Sequence, residues 1–342
     1  MKKMLKLEIK RHGSLALALS IIFMILSIVN ICFNFFSFFG NPIEDSYLTF
    51  SMNTILLTGF LAFYELQFKM KKVGIDQMYA LPIKKEKLYL GKFLAGYGTF
   101  TVAFTSSFLA AAIALSCRYV VYSFTYLFLI YLSNLLMGLL FYGLIFFIVY
   151  SQNTMVDAIF NLLMFLLLFE FVILAMDKVL SNWFQIRFIS KWNLDVLSFF
   201  PFGFILLLNQ YFSMGLEGVE SARMNEWHAH LRDGMISAIF YIIVLALFAL
   251  AFFYKLKKDK PEKVNQISDS YFSYRVMIPA LTISSMLVMD YINVFTYLFF
   301  LLLAYLLYVM YQRKLKLNRR SWIMMGVIAL MNLLTVINFY TD

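Results

Sequence analysis

The chain of 342 residues is 62% hydrophobic and 14% charged, with a mean hydropathy of +0.79, which excludes an ordinary soluble globular domain. Its apolar runs are long enough to cross a bilayer as helices and lack the ten-residue alternation of an outer-membrane barrel, so the fold class is an all-α integral membrane protein, a polytopic helical bundle. Lys and Arg exceed Asp and Glu by 29 to 19, but the basic residues gather in loops beside the apolar runs, where they set orientation, and no nucleic-acid partner is read.

Met1 to His12 is a basic amphipathic stretch expected along the inner surface, and Ser14 to Phe39 is the first span. That run is too long for a secretory signal and ends in FFSFFGNP without a small-residue cleavage site, so it is expected to remain uncleaved. Cys32 within it and the distant Cys117 have neither metal-ligand spacing nor a disulfide framework. Gly40, Asn41 and Pro42 punctuate a turn, and Tyr47 to Tyr64 is the second span.

Glu65 to Lys92 (ELQFKMKKVGIDQMYALPIKKEKLYLGK) is a basic polar interruption carrying Lys69, Lys71, Lys72, Lys84, Lys85, Lys87 and Lys92. Ile75, Met78, Tyr79 and Leu81 form a short apolar stripe at helical spacing. Pro82 drives Leu81 out of the α region and suits the first turn of a new helix. The expected shape is a short surface helix, an elbow, and a helix entering the bilayer.

Three groups in this stretch carry a resemblance: Lys71-Lys72-Val73-Gly74-Ile75-Asp76, Ala80-Leu81-Pro82-Ile83-Lys84-Lys85 and Leu90-Gly91-Lys92-Phe93. Together they resemble the segment between the second and third spans of type-2 ABC exporter permeases. The resemblance implies a coupling helix that docks on a separate ATPase subunit through Ile75, Asp76, Met78, Tyr79, Leu81, Pro82, Lys84 and Lys85. It further implies two ATPase subunits carrying ATP and magnesium, a second permease copy or a related permease, and a bacterial plasma membrane. The implied cargo is amphiphilic, such as an antimicrobial peptide, a toxin or a lipid-like compound. A six-span permease core would occupy residues 1–254, with an outer loop at 177–234 and a three-span extension at 255–342.

Farther along, Phe93 to Cys117, Phe124 to Tyr150 and Ala158 to Met176 read as spans three to five. Thr99, Ala103, Ser107 and Ala111 put a small-residue face on the third, which favours close helix packing. Asp177 to Gly234 is nearly balanced in charge and is expected outside; within it Val196 to Met214, broken at Pro201 and Gly203, reads as re-entrant or surface-lying. Met235 to Tyr254 is the sixth span, followed by the basic KLKKDKPEK. Val276 to Tyr291 and Val294 to Tyr311 form a hairpin, and Trp322 to Tyr340 is the last of nine spans, leaving the C-terminus outside. This arrangement puts 23 of the 29 basic residues inside, the N-terminus among them, and six outside.

The chain carries no nucleotide-binding loop of its own. Around Gly91-Lys92, Glu86 stands where the first glycine would be and Phe93 where a Ser or Thr would hold magnesium, so no enzymatic activity or bound cofactor is expected of this chain. Glu226, His228 and His230 diverge on a helix and are not read as metal ligands. Glu170 is the one acid read well inside a span, the fifth, and is expected to face a substrate or a permease interface, or to be neutral and hydrogen-bonded to a neighbouring helix. The rival to the exporter reading is an ion-coupled secondary transporter or a non-transporting membrane scaffold.

Overall fold

The computed structural model describes residues 2–33, 42–71, 74, 76, 84–117, 124–184, 274–289 and 294–341, together with positions 239, 243, 246, 247, 250–252 and 254. The described residues are helical almost throughout and contain no strand. In chain order the helices are α1 (Lys2–Phe33), α2 (Pro42–Leu66), a 3-10 turn (Gln67–Met70), α3 (Lys85–Cys117), α4 (Phe124–Ser151), α5 (Met155–Phe184), α6 (Tyr274–Val288), α7 (Val294–Gln312) and α8 (Arg319–Thr341). Among the described residues, four stretches are long and apolar enough to cross a membrane: Arg11–Cys32, Lys85–Cys117, Leu127–Ser151 and Val294–Gln312.

Two elements differ from the sequence expectation. The basic N-terminal stretch and the first span form one helix of 32 residues. Nothing between Lys2 and Phe33 breaks the hydrogen-bond ladder, and a helix of that length rises about 48 Å, well beyond a hydrocarbon core of about 30 Å. α5 runs to Phe184, past the expected end at Met176. By contrast, α6 has 15 residues and rises only about 22 Å, less than a bilayer core.

The chain forms two compact units that interleave in sequence, residues 1–147 with 201–261, and 148–200 with 262–342. In the first unit α3 packs against both α1 and α2. Its small-residue face is the contact surface: Thr99, Ala103, Ser107 and Ala111 are all buried. The polarity of these helices is inside out. On α2, Thr49, Ser51, Asn53, Thr54 and Thr58 are buried while Met52, Leu56 and Phe60 are exposed. The same holds on α1, where Ser27 and Asn30 face inward and Leu17, Ile21 and Ile25 outward. Farther along, Ile239, Ile243, Leu247, Leu250 and Tyr254 are exposed and share one helical stripe. An apolar exterior around a polar interior is what a lipid solvent selects.

The inward polar groups satisfy one another. Asn53 Nδ2 donates to Ser27 Oγ and Ser107 Oγ, both at 2.8 Å, and the two hydroxyls are themselves 2.8 Å apart, so one triad joins α1, α2 and α3. Asn30 donates to Thr49, and Thr54 donates to Asn134 Oδ1 at 2.9 Å, tying α2 to α4. Such bonds contribute roughly 0.6–2 kcal/mol each in a membrane. Aromatic rings fill the space between: Phe100, Phe104 and Phe108 follow one another along α3 and meet Tyr131 and Phe50. Gly138 admits the Phe100 ring, which a methyl group there would strike.

In the second unit α5 packs on α6, and α6 in turn contacts α7 and α8, around Met164, Ile278, Leu281, Ala304, Tyr308 and Ile328. Three polar devices fix its ends. Thr154 caps α5 by accepting from the Asp157 amide at 3.2 Å. Lys178 Nζ donates to the Val288 carbonyl at 3.3 Å and to that of Met289, closing the C-terminus of α6 with a cation. Arg313, in the left-handed region with φ 53°, ends α7 and reaches Thr154 Oγ1 at 3.1 Å and Asp157 Oδ1 at 3.3 Å.

Candidate functional site

The basic segment 65–92 begins at the last turn of α2 and ends in the second turn of α3, and a charge cluster sits where those two helices meet. Glu65, at the end of α2, is 1% exposed. One carboxylate oxygen lies 3.0 Å from His12 Nε2 of α1, and the other lies 3.6 Å from Lys92 Nζ of α3. All three side chains are at most 4% exposed. The lysine ammonium also stands 5.0 Å above the Phe68 ring, in the turn that follows α2, and Tyr64 meets His12 edge-on at 5.7 Å.

Burying a carboxylate and an ammonium is tolerable only when each compensates the other, because an isolated ion would carry a desolvation penalty of several kcal/mol. The sequence achieves this with one residue from each of three helices. Gly96, one turn beyond Lys92, makes the close approach possible. A Cβ at Gly96 would overlap the Tyr142 hydroxyl from α4 and come within 2.9 Å of Glu65 Cγ. Tyr142 is itself fully buried, and its hydroxyl has no hydrogen-bond partner among the described residues. Phe93 packs against it at a tilt, with ring centroids 5.0 Å apart.

This cluster corrects two expectations. Lys92, with Lys69, is buried rather than displayed on a polar surface segment. The reason lies in register: Lys92 stands two turns into α3, on the face carrying Leu88, Ala95 and Thr99, which turns toward the bundle. Two acids, Glu65 and Asp157, are buried, where Glu170 was the one acid expected well inside a span. Glu65 belongs to an apolar run rather than to the loop that follows it. That position, with Lys92 inside the apolar pattern LYLGKFLAG, was the signal available in the sequence.

Of the residues expected to meet an ATPase, Ile75, Met78, Tyr79, Leu81 and Pro82 lie outside the described residues. Asp76 is helical and exposed. Lys84 is exposed, and its carbonyl accepts from the Lys87 and Leu88 amides at 3.0 and 3.1 Å, making it the N-cap residue of α3; Lys85 is half-buried. Gly74 approaches the Phe68 backbone so closely that a Cβ would lie 2.7 Å from its carbonyl oxygen, so the chain at this position packs directly on the turn leaving α2. Glu170 lies within α5, and its side chain, like Glu226, His228 and His230, falls outside the described residues. No protein-family model, curated protein or solved structure matches this chain.

Proposed function

We propose that this chain is the membrane-spanning permease subunit of an ATP-driven type-2 ABC exporter, with nine spans, an inner N-terminus, an outer C-terminus and a six-span core. The segment 65–92 would dock on one of two separate ATPase subunits, which supply ATP and magnesium, and the permease would pair with a second copy or a related chain. The observation that carries the reading is the buried Glu65–Lys92 contact, joined by His12. It closes the base of the basic segment, so a displacement of that segment loads α2 and α3 together and reaches α1 through His12. A solvated loop that only fixed orientation would need no such closure. An amphiphilic cargo rests on the family analogy alone.

A second reading, an ion-coupled carrier, is favoured by the same cluster seen chemically: His12, Glu65 and Lys92 are three titratable groups enclosed in one helical bundle. Co-purification separates the two. An ATPase retained in detergent, and lost with transport in the Met78→Ala, Tyr79→Ala double variant while membrane insertion persists, supports the exporter. Proton-driven uptake by the purified chain without any ATPase overturns it. Lys84→Gln with Lys85→Gln should weaken the association less and in a salt-dependent way, since exposed charges are screened.

A further inference from the structure

We propose that the second unit binds the acyl chain of a bilayer lipid in the cavity between α6, α7 and the start of α8. The proposal is independent of the transport reading. The cavity has a volume of about 260 Å³ and is lined by Tyr274, Tyr308, Arg320, Ser321, Ile323 and Met324, and its accessible wall is almost wholly apolar. The rings of Tyr274 and Tyr308 stand edge-on with centroids 6.1 Å apart, and Tyr308 is buried, which marks the closed end. Ile323 is exposed and marks the mouth. The polar members give the cavity little to bind a polar ligand. Ser321 is buried, with its Oγ accepting from Gln312 Nε2, and Arg320 is exposed. A long basic side chain lines apolar surface with its methylenes and keeps its charge in a polar layer.

Water does not suit such a wall, because it would find too few polar partners there. An empty cavity would forfeit the dispersion contacts of everything that lines it. A cavity of about 150 Å³ lined by Leu, Ile and Phe stays dry and takes one benzene, so about 260 Å³ admits a longer run of methylenes. The mouth selects the bilayer as their source. Ile323 begins an exposed stripe with Val327, Leu330 and Leu334 on α8. α7, which is apolar enough to cross a membrane, exposes Phe299, Leu302, Leu306 and Met310. The cavity is therefore continuous with the apolar exterior that meets lipid, and a chain from that layer enters it without crossing water. Tyr308 lies four residues, about 6 Å, before the end of α7 at Gln312, which sets the cavity beside the headgroup end of the chains.

The test is photo-crosslinking of the full chain in phosphatidylcholine nanodiscs. They are doped with a phosphatidylcholine whose acyl chain carries a diazirine near its carbonyl, to match the depth of the cavity. Labelled residues are located by peptide mass spectrometry. Ile323 and Met324 should be marked about threefold more than Leu302 and Leu330, which are exposed on α7 and α8 outside the cavity. Met324→Trp, which fills the cavity from its wall, should abolish the excess at Ile323. Arg320→Gln should leave the excess within about twofold, because a zwitterionic lipid on an apolar wall gives the charge little part. Variants are compared only where elution and melting match wild type; Ile323→Phe, a smaller apolar change that narrows the mouth and should lower the excess at Met324, keeps the test decisive if Met324→Trp misfolds. Equal labelling of cavity and control residues would reduce the lipid to surrounding solvent and overturn the proposal. Labelling below the controls, as a second copy of the chain seated over the mouth would produce, overturns it as well. An excess that survives filling, or one that vanishes with Arg320→Gln, has the same consequence, since the first lies outside the cavity and the second belongs to the headgroup.

Discussion

Replacing Glu65 with Leu would remove the carboxylate that faces the buried Lys92 ammonium. At the observed separation of 3.6 Å and an effective dielectric constant of about 20, the lost attraction is about 4–5 kcal/mol. The single variant should therefore lose about 3–5 kcal/mol of stability, the range found when one partner of a buried pair is removed. Lys92→Met should cost less, because Glu65 keeps His12 at 3.0 Å. The combined Glu65→Leu, Lys92→Met variant fills the same volume without charge and should return to within about 1 kcal/mol of wild type. The assay is a double-mutant cycle on purified protein in one detergent, following loss of helical signal with denaturant. Additive effects, with the double variant worse than either single one, would refute the pairing and with it the closure of segment 65–92.

Three further outcomes follow from other parts of the bundle. Gly96→Val should destabilise by more than about 3 kcal/mol, measured in the same unfolding assay, because its side chain would enter space held by Tyr142 and Glu65; Gly98→Val, with open space around its Cβ position, should stay near neutral. Lys178→Met should lower the melting temperature of the purified protein by removing about 1–2 kcal/mol of charged hydrogen bonding at the end of α6, and Lys178→Arg should recover part of it. In transport assays and in chemical cross-linking of permease copies, Glu170→Gln should behave as wild type if the carboxyl is neutral and bonded, while Glu170→Leu should impair function. Wild-type behaviour of both variants would remove Glu170 from any account of transport.

Much of the helical plan was legible in residue patterning. The expected spans 124–150 and 294–311 end within one residue of α4 and α7, because long unbroken apolar runs leave the chain few alternatives to helix. The small-residue face of α3 was legible for the same reason: its four-residue spacing survives any tertiary arrangement. What brings Glu65, His12 and Lys92 together was not legible. These residues are 27 and 53 positions from Glu65, on three helices, and local pattern says nothing about which faces meet. Charge alone misassigned Lys92, since a lysine close to a polar segment looks like part of it. The second unit escaped notice for a related reason, as the packing of α5 on α6 links residues more than 90 positions apart.

The inward polarity of α2 also bears on how this protein is made. Its buried Thr, Ser and Asn residues lower its apolarity, so hydrocarbon receives it less readily than a uniformly apolar helix. A helix that loses Asn53 to hydrocarbon on its way in carries that penalty until Ser27 of α1 and Ser107 of α3 reach it. Membrane integration of α2 should therefore be cooperative, depending on α1 already in place and on α3 arriving after it. Substitutions at Ser27 would then surface as a defect in biogenesis, with chains degraded before they mature, although the residue itself sits on a different helix from the one that fails to enter.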